Sequence, residues 1–138
     1  MLQLRGALFL ILFFLLPTFV LADEPVTDAK TSALVGPHQG KIEEAGPFRL
    51  ELLLEKDGHL KIYLLDATLK NEIVKNSEVG VFVKSGNTES EMTCQAVEAT
   101  HFECKQSGKK FKKGEFMISA KRDAIRAEEI KVKFPFGK

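Results

Sequence analysis

Apolar and polar residues alternate most regularly between Phe48 and Asp66 (FRLELLLEKDGHLKIYLLD). Phe48, Leu50, Leu52 and Leu54 are interleaved with Arg49, Glu51 and Glu55, and Leu60, Ile62 and Leu64 with His59 and Lys61. A period of two marks a strand with one buried face, so the stretch predicts a long β-hairpin closed at Asp57-Gly58. A two-residue Asp-Gly loop would oppose Leu54 to Lys61 and put the two apolar rows on opposite faces of the ribbon. A three-residue loop, Lys56-Asp57-Gly58, opposes Leu54 to Leu60, Leu52 to Ile62 and Leu50 to Leu64, and sets Gly58 where a left-handed residue is needed. One face of this hairpin then packs a core. The other carries Leu53, Tyr63 and Leu65, apolar enough to predict either a partial cover or an interaction face.

The rest of the pattern is also that of short strands. Gly36-Pro37-His38-Gln39-Gly40 and Gly46-Pro47 are turn signals with room between them for one strand, Lys41 to Ala45. Glu78 to Ser85 places Val79, Val81 and Val83 on one face and Phe82 on the other, and Glu91 to Val97 with His101 to Lys105 predicts a second hairpin. Glu115 to Ala120 and Glu129 to Phe136 supply the last strands, with Phe116, Ile118 and Ala120, and Ile130, Val132 and Phe134, as inward sets. Asp123 to Glu129 has the composition of a single helical turn. Closely spaced strands without a long helix predict an all-β fold, an antiparallel β-sandwich of about seven or eight strands, while the absence of Trp and the close cysteine spacing argue against a true antibody-type domain. An open barrel is the structural alternative.

Length and composition add the compartment. Met1 to Ala22 carries Arg5, no acidic residue, a long apolar run and Val20-Leu21-Ala22 before Asp23, the plan of a secretory signal peptide; a retained membrane anchor is the rival reading. The expected division is therefore a signal peptide over 1–22, a flexible leader over 23–35 and a single domain over 36–138. Without Arg5 the mature chain balances basic and acidic residues, which gives no global attraction to nucleic acid. Once the signal is cleaved, no stable membrane insertion is expected.

Cys94 and Cys104 are the two cysteines, and export would place them where thiols oxidise. The hairpin register that opposes them also opposes Ala96 to Phe102 and Met92 to Gln106, so the apolar pattern and the bridge agree. A disulfide is expected, with a thiolate metal pair or a redox couple as its rival. The three histidines, His38, His59 and His101, share no ligand-type spacing. His59 is expected to face Glu55 across the hairpin, and His101 to lie beside Glu103. Only His38, held between Pro37 and flanking glycines, has a setting that suggests a site.

The sequence carries no nucleophile elbow, no His-Glu-x-x-His and no phosphate loop, and no enzymatic activity is expected. Lys109-Lys110-Phe111-Lys112-Lys113 is the one charge run, read as a solvated turn with Phe111 tucked inward or as a contact for lipid headgroups or an acidic partner.

Gly36-Pro37-His38-Gln39-Gly40, followed by Gly46-Pro47-Phe48-Arg49-Leu50-Glu51-Leu52 and the alternating hairpin, resembles small bacterial envelope domains associated with heavy-metal, copper-type efflux and resistance systems. Those domains often show Gly-Pro-His-Gly-Gly, then a short strand, then an aromatic-x-apolar-Glu-apolar strand. Here Gln39 replaces a glycine, and Arg49 stands where a second histidine would complete a metal-type pattern. The resemblance implies an immunoglobulin-like β-sandwich and a periplasmic or secreted, non-catalytic binding module that is accessory to metal handling or efflux. It would bind copper or zinc through His38 with help from His59 or His101, and its partners would be envelope efflux or other cell-envelope proteins. The alternative is a structural or protein-interaction module with no small ligand, pairing through a strand edge or the Leu53, Tyr63 and Leu65 face.

Overall fold

A computed structural model describes residues 34–70, 74–108 and 110–136. The signal peptide and nearly all of the expected leader lie outside the described residues. Leu34 and Val35, at the leader's end, already belong to the domain: Ile42 N–H donates to Leu34 O (3.1 Å) and Val35 bridges Lys41.

The described chain is all-β and antiparallel, with nine strands: β1 (Lys41–Ala45), β2 (Phe48–Leu54), β3 (Leu60–Leu65), β4 (Ser77–Ser85), β5 (Thr88–Val97), β6 (His101–Gln106), β7 (Gly114–Arg122), β8 (Ile125–Arg126) and β9 (Ile130–Phe134). The β2–β3 hairpin has the expected register, Leu54 opposite Leu60, Leu52 opposite Ile62 and Leu50 opposite Leu64. Its loop closes through Glu55 N–H to His59 O (2.8 Å) and Gly58 N–H to Glu55 O (2.9 Å), with Gly58 at φ 86°. Both bonds require Gly58 to turn left-handed, a conformation that a residue with a Cβ resists.

The strands form one continuous hydrogen-bonded sheet, in the order β1-β2-β3-β6-β5-β4-β7-β8, with β9 also paired to β7. β8 and β9 extend the same edge of β7, and the register advances by one residue between Lys121↔Arg126 and Ile118↔Ile130, which is a β-bulge. The sheet curls until β9 comes alongside β1, where Lys41 Nζ lies 5.9 Å above the Phe136 ring and Gly46 abuts Glu128. Two facing sheets and one nearly closed sheet both bury alternate residues, so the apolar pattern alone fits either arrangement. Counting β8 and β9 as one line gives eight strand positions, and a barrel of about eight strands has an interior that side chains can fill. Leu50, Leu52, Leu60, Ile62, Val81 and Ile118 do so, all fully buried.

The inward sets of β4, β7 and β9 are placed as their alternation predicts, with Phe82 exposed on the far face of β4. Two local expectations need correction. Asp123–Glu129 is not a helical turn. The chain reverses at Asp123 (φ 53°), whose N–H donates to Asn76 O (2.8 Å), and it returns as β8, with Ala127 N–H donating to Ala120 O (2.8 Å). Backbone partners on β7 outbid the weak helical preference of a seven-residue segment. Ala96 does pair with Phe102, but it is exposed while Phe102 is buried, because the β5–β6 hairpin tip extends past the core.

That hairpin is stapled: Cys94 lies opposite Cys104 and the two form a disulfide, with Cα atoms 4.0 Å apart. The tip keeps a three-residue loop without glycine or asparagine, holding Glu98 (φ 49°) and Ala99 (φ 55°) left-handed while Thr100 N–H donates to Val97 O (3.0 Å).

Candidate functional site

The most organised polar cluster lies on the outer face of β2 and β3. Glu51 sits in the middle of β2 between leucines and is fully buried. Its Oε1 accepts from His38 N–H (2.8 Å) and Gly40 N–H (2.8 Å), and its Oε2 lies 2.7 Å from His38 Nδ1. With the carboxylate ionised, this third contact is a hydrogen bond donated by His38 Nδ1–H. Gly36–Gly40 is thereby folded onto the sheet, and it is closed on itself by Gly36 N–H to Gly40 O (2.9 Å) and Gln39 N–H to Gly36 O (3.0 Å).

The two glycines of this loop answer to close approach. A Cβ on Gly36 would fall on the Glu51 carboxyl group, and one on Gly40 would meet the Leu53 side chain and lie 2.8 Å from Leu52 O. Gln39 has the opposite problem, since it is held at φ 65°, the left-handed region in which glycine carries no Cβ penalty. Gln39→Gly should therefore raise the unfolding free energy by about 0.5–1 kcal/mol, the relief of left-handed strain less the added freedom of the unfolded chain. Urea denaturation of the two proteins measures it.

His38 stacks on Tyr63 (centroids 3.8 Å apart, 8° between planes), and Tyr63 stacks on His101 (4.9 Å, 25°). Tyr63 is opposite Glu51 on β2, and His101 follows in the β3–β6 ladder, so three neighbouring strands present these side chains in one row. Thr100 Oγ1 lies 2.8 Å from His101 Nδ1, and His101 Nε2 is 3.8 Å from Glu103 Oε1.

The expected interaction face is largely closed by this arrangement. Tyr63 is 9% exposed, Leu65 is fully buried and Leu53 is half-buried against Gly40. The cover that an apolar outer face calls for is, over Tyr63 and Leu53, the His38 loop. His59 does not join the cluster. Its Nδ1 pairs with Asp57 Oδ2 (3.0 Å) at the hairpin tip, while Glu55, its expected partner, pairs with Lys61 (3.1 Å). The His59 N–H donated to Asp57 Oδ1 (3.1 Å) holds the Asp57 carboxyl below its ordinary range, with the charges of His59 and Lys110 adding to it. Arg49 is committed to Ala67 O (3.0 Å) and Glu44 Oε1 (3.2 Å).

Metal chemistry is tested by this geometry. Among the described residues no three or more His, Cys, Asp or Glu side chains gather as a ligand set, and both cysteine sulfurs are spent in the disulfide. The three histidines thus do not assemble a closed coordination site.

Sequence reasoning missed Glu51, which alternation assigns to solvent. The signal available for it was the acid embedded in Leu50-Glu51-Leu52-Leu53-Leu54, downstream of a loop rich in unpaired backbone donors.

Fold and site together define a small, disulfide-stapled, antiparallel β-domain of barrel-like closure, with a histidine–tyrosine stack fastened to its outer wall by a buried glutamate. Comparison with family models, with curated proteins and with solved structures finds no match.

Proposed function

We propose that this chain is an exported, non-catalytic binding module of the bacterial cell envelope that engages a protein partner along the seam between β1 and β9. The observation that carries the reading is an open cleft of about 610 Å³ beside the start of β1, bordered by Leu34, Val35, Leu53, Leu54 and Phe136 together with Lys41 and Glu55. Leu34 and Val35 are 52% and 59% exposed. Among the described strands β1 has a ladder partner only in β2, and its other edge is met at Lys41 and Ile42 by Val35 and Leu34, so an extended partner segment would add outside Leu34 and Val35 and place alternate side chains in the mixed apolar and polar cleft. A photo-cross-linking residue at Val35, expressed in the native host, should give a covalent adduct with one envelope protein that is lost when Leu34→Asp is added. The same residue at the exposed Glu91 should give none. Equal labelling from both positions would remove the support for a seam interface.

The metal-handling role implied by the resemblance has one feature in its favour: a carboxylate holding Nδ1 is the arrangement that orients metal-bound imidazoles. Without an assembled ligand set it ranks second. Stoichiometric heat on titration with copper or zinc, abolished by His38→Ala, would put it first. The immunoglobulin-like sandwich implied by the same resemblance is compatible with the strand number and the antiparallel pairing.

A further inference from the structure

A second concave surface lies at the end of the sheet where the β2–β3 loop, the β6–β7 loop and the end of β9 meet. It has a volume of about 390 Å³, within the range of about 300–1,000 Å³ usual for small-ligand pockets, which favour the mouths of β-barrels. Its wall is apolar: Leu54, Val83, Phe111, Phe116 and Phe134 line it. Val83, Phe116 and Phe134 are core residues, and Phe111 packs against them from the β6–β7 loop. This explains why an aromatic residue sits within a run of lysines: Phe111 turns inward and its charged neighbours face solvent.

The rim carries three lysines and one carboxylate, Glu55. Lys56 comes from the β2–β3 loop and Lys110 and Lys112 from the β6–β7 loop, and Lys110 lies over Gly58, where an added Cβ would be 3.3 Å from its Cδ. The two carboxylates nearby are already engaged. Glu55 is held by Lys61 (3.1 Å), whose ammonium it keeps above the ordinary lysine value, and Asp57 is held by His59. Lys56, Lys110 and Lys112 are exposed, and an apolar floor below three lysines matches a ligand with one apolar chain and one anionic head.

We propose that this mouth binds the anion of a single-chain fatty acid, with the chain against Phe111, Phe116 and Phe134 and the carboxylate among Lys56, Lys110 and Lys112. The site shares only Leu54 and Glu55 with the seam cleft, so it does not depend on the seam reading.

The test is a titration of the ¹⁵N-labelled mature protein with dodecanoate, kept below its micelle concentration and followed by amide chemical shifts. Saturable shifts are expected at Val83, Phe111 and Phe116, with residues Leu34 and Val35 unmoved. The double variant Lys110→Gln/Lys112→Gln, whose spectrum should otherwise overlay the parent's, is expected to bind about tenfold more weakly or worse, since two charge-assisted contacts are lost. Dodecyltrimethylammonium, with the same chain and a cationic head, should bind far more weakly than dodecanoate. Equal binding of the two amphiphiles, unchanged affinity in the double variant, shifts confined to the seam, or shifts seen only with phosphatidylglycerol vesicles would each overturn the proposal. None of these outcomes touches the Val35 cross-link, so the two readings stand or fall separately.

Discussion

Replacing Glu51 with alanine should lower the unfolding free energy by about 3–5 kcal/mol, the largest effect expected of any polar substitution in the domain. The carboxylate accepts from His38 N–H, Gly40 N–H and His38 Nδ1, and it is fully buried. Each buried donor left without a partner costs about 1–3 kcal/mol, and the void left by the side chain adds to that. For a domain near 100 residues, about 4–8 °C is lost per kcal/mol, so the melting temperature should fall by roughly 15 °C or more. Glu51→Gln is expected to be milder. Its remaining carbonyl oxygen can still accept both backbone N–H groups, and its amide can donate to His38 once the imidazole proton moves to Nε2. Calorimetry of the three proteins orders them wild type, Gln, Ala. An alanine variant within about 1 kcal/mol of wild type would mean that the loop is satisfied without the carboxylate.

Removal of the disulfide, by Cys94→Ser with Cys104→Ser, should cost about 2–3 kcal/mol. The bridge closes a short loop, with a sequence separation of 10, and its main effect is to restrict the unfolded chain. The two effects act at different ends of the stability problem: Glu51 satisfies donors in the folded state, whereas the bridge removes freedom from the unfolded one. The serine pair should also free the β5–β6 tip, where Glu98 and Ala99 are held left-handed in a loop that extends past the core. Denaturant midpoints of the oxidised protein, the reduced protein and the serine pair measure it. An oxidised protein no more stable than its reduced form would contradict the staple.

How far the sequence carries depends on the range of the interaction. The Leu52–Ile62 register was legible because alternation fixes which residues share a face, and Gly58 fixes how the chain turns between the two rows. The Cys94–Cys104 pair was legible for the same reason, since one register satisfies both sulfurs and the row containing Phe102. Alternation is silent on what lies above the second face. Glu51 looks like an ordinary outward residue of β2 until the Gly36–Gly40 loop is seen to bring its donors from more than ten residues away. Tyr63 and Leu53 look like an exposed patch until the same loop covers them. Asp123–Glu129 was misread because seven residues of moderate helical preference cannot compete with the carbonyls offered by β7, and Ala96 because pairing within a hairpin does not say how far its tip projects. Glu55 and His59 do face each other across the loop, yet each takes a closer charged partner, Lys61 and Asp57.

The functional reading rests on the outer wall of β2 and β3 being closed by the His38 loop, and places binding at the seam and the lysine-rimmed mouth instead. The most direct measurement is amide hydrogen exchange at His38 and Gly40 in the wild-type protein, compared with Glu51→Ala under conditions where both remain folded. With the loop fastened by Glu51, both amides exchange as slowly as those of the β2–β3 ladder in wild type and at the rate of an open loop in the variant. Rapid exchange of His38 and Gly40 in the wild-type protein, while the ladder stays protected, would show the wall to be open and make the Tyr63 face a binding surface.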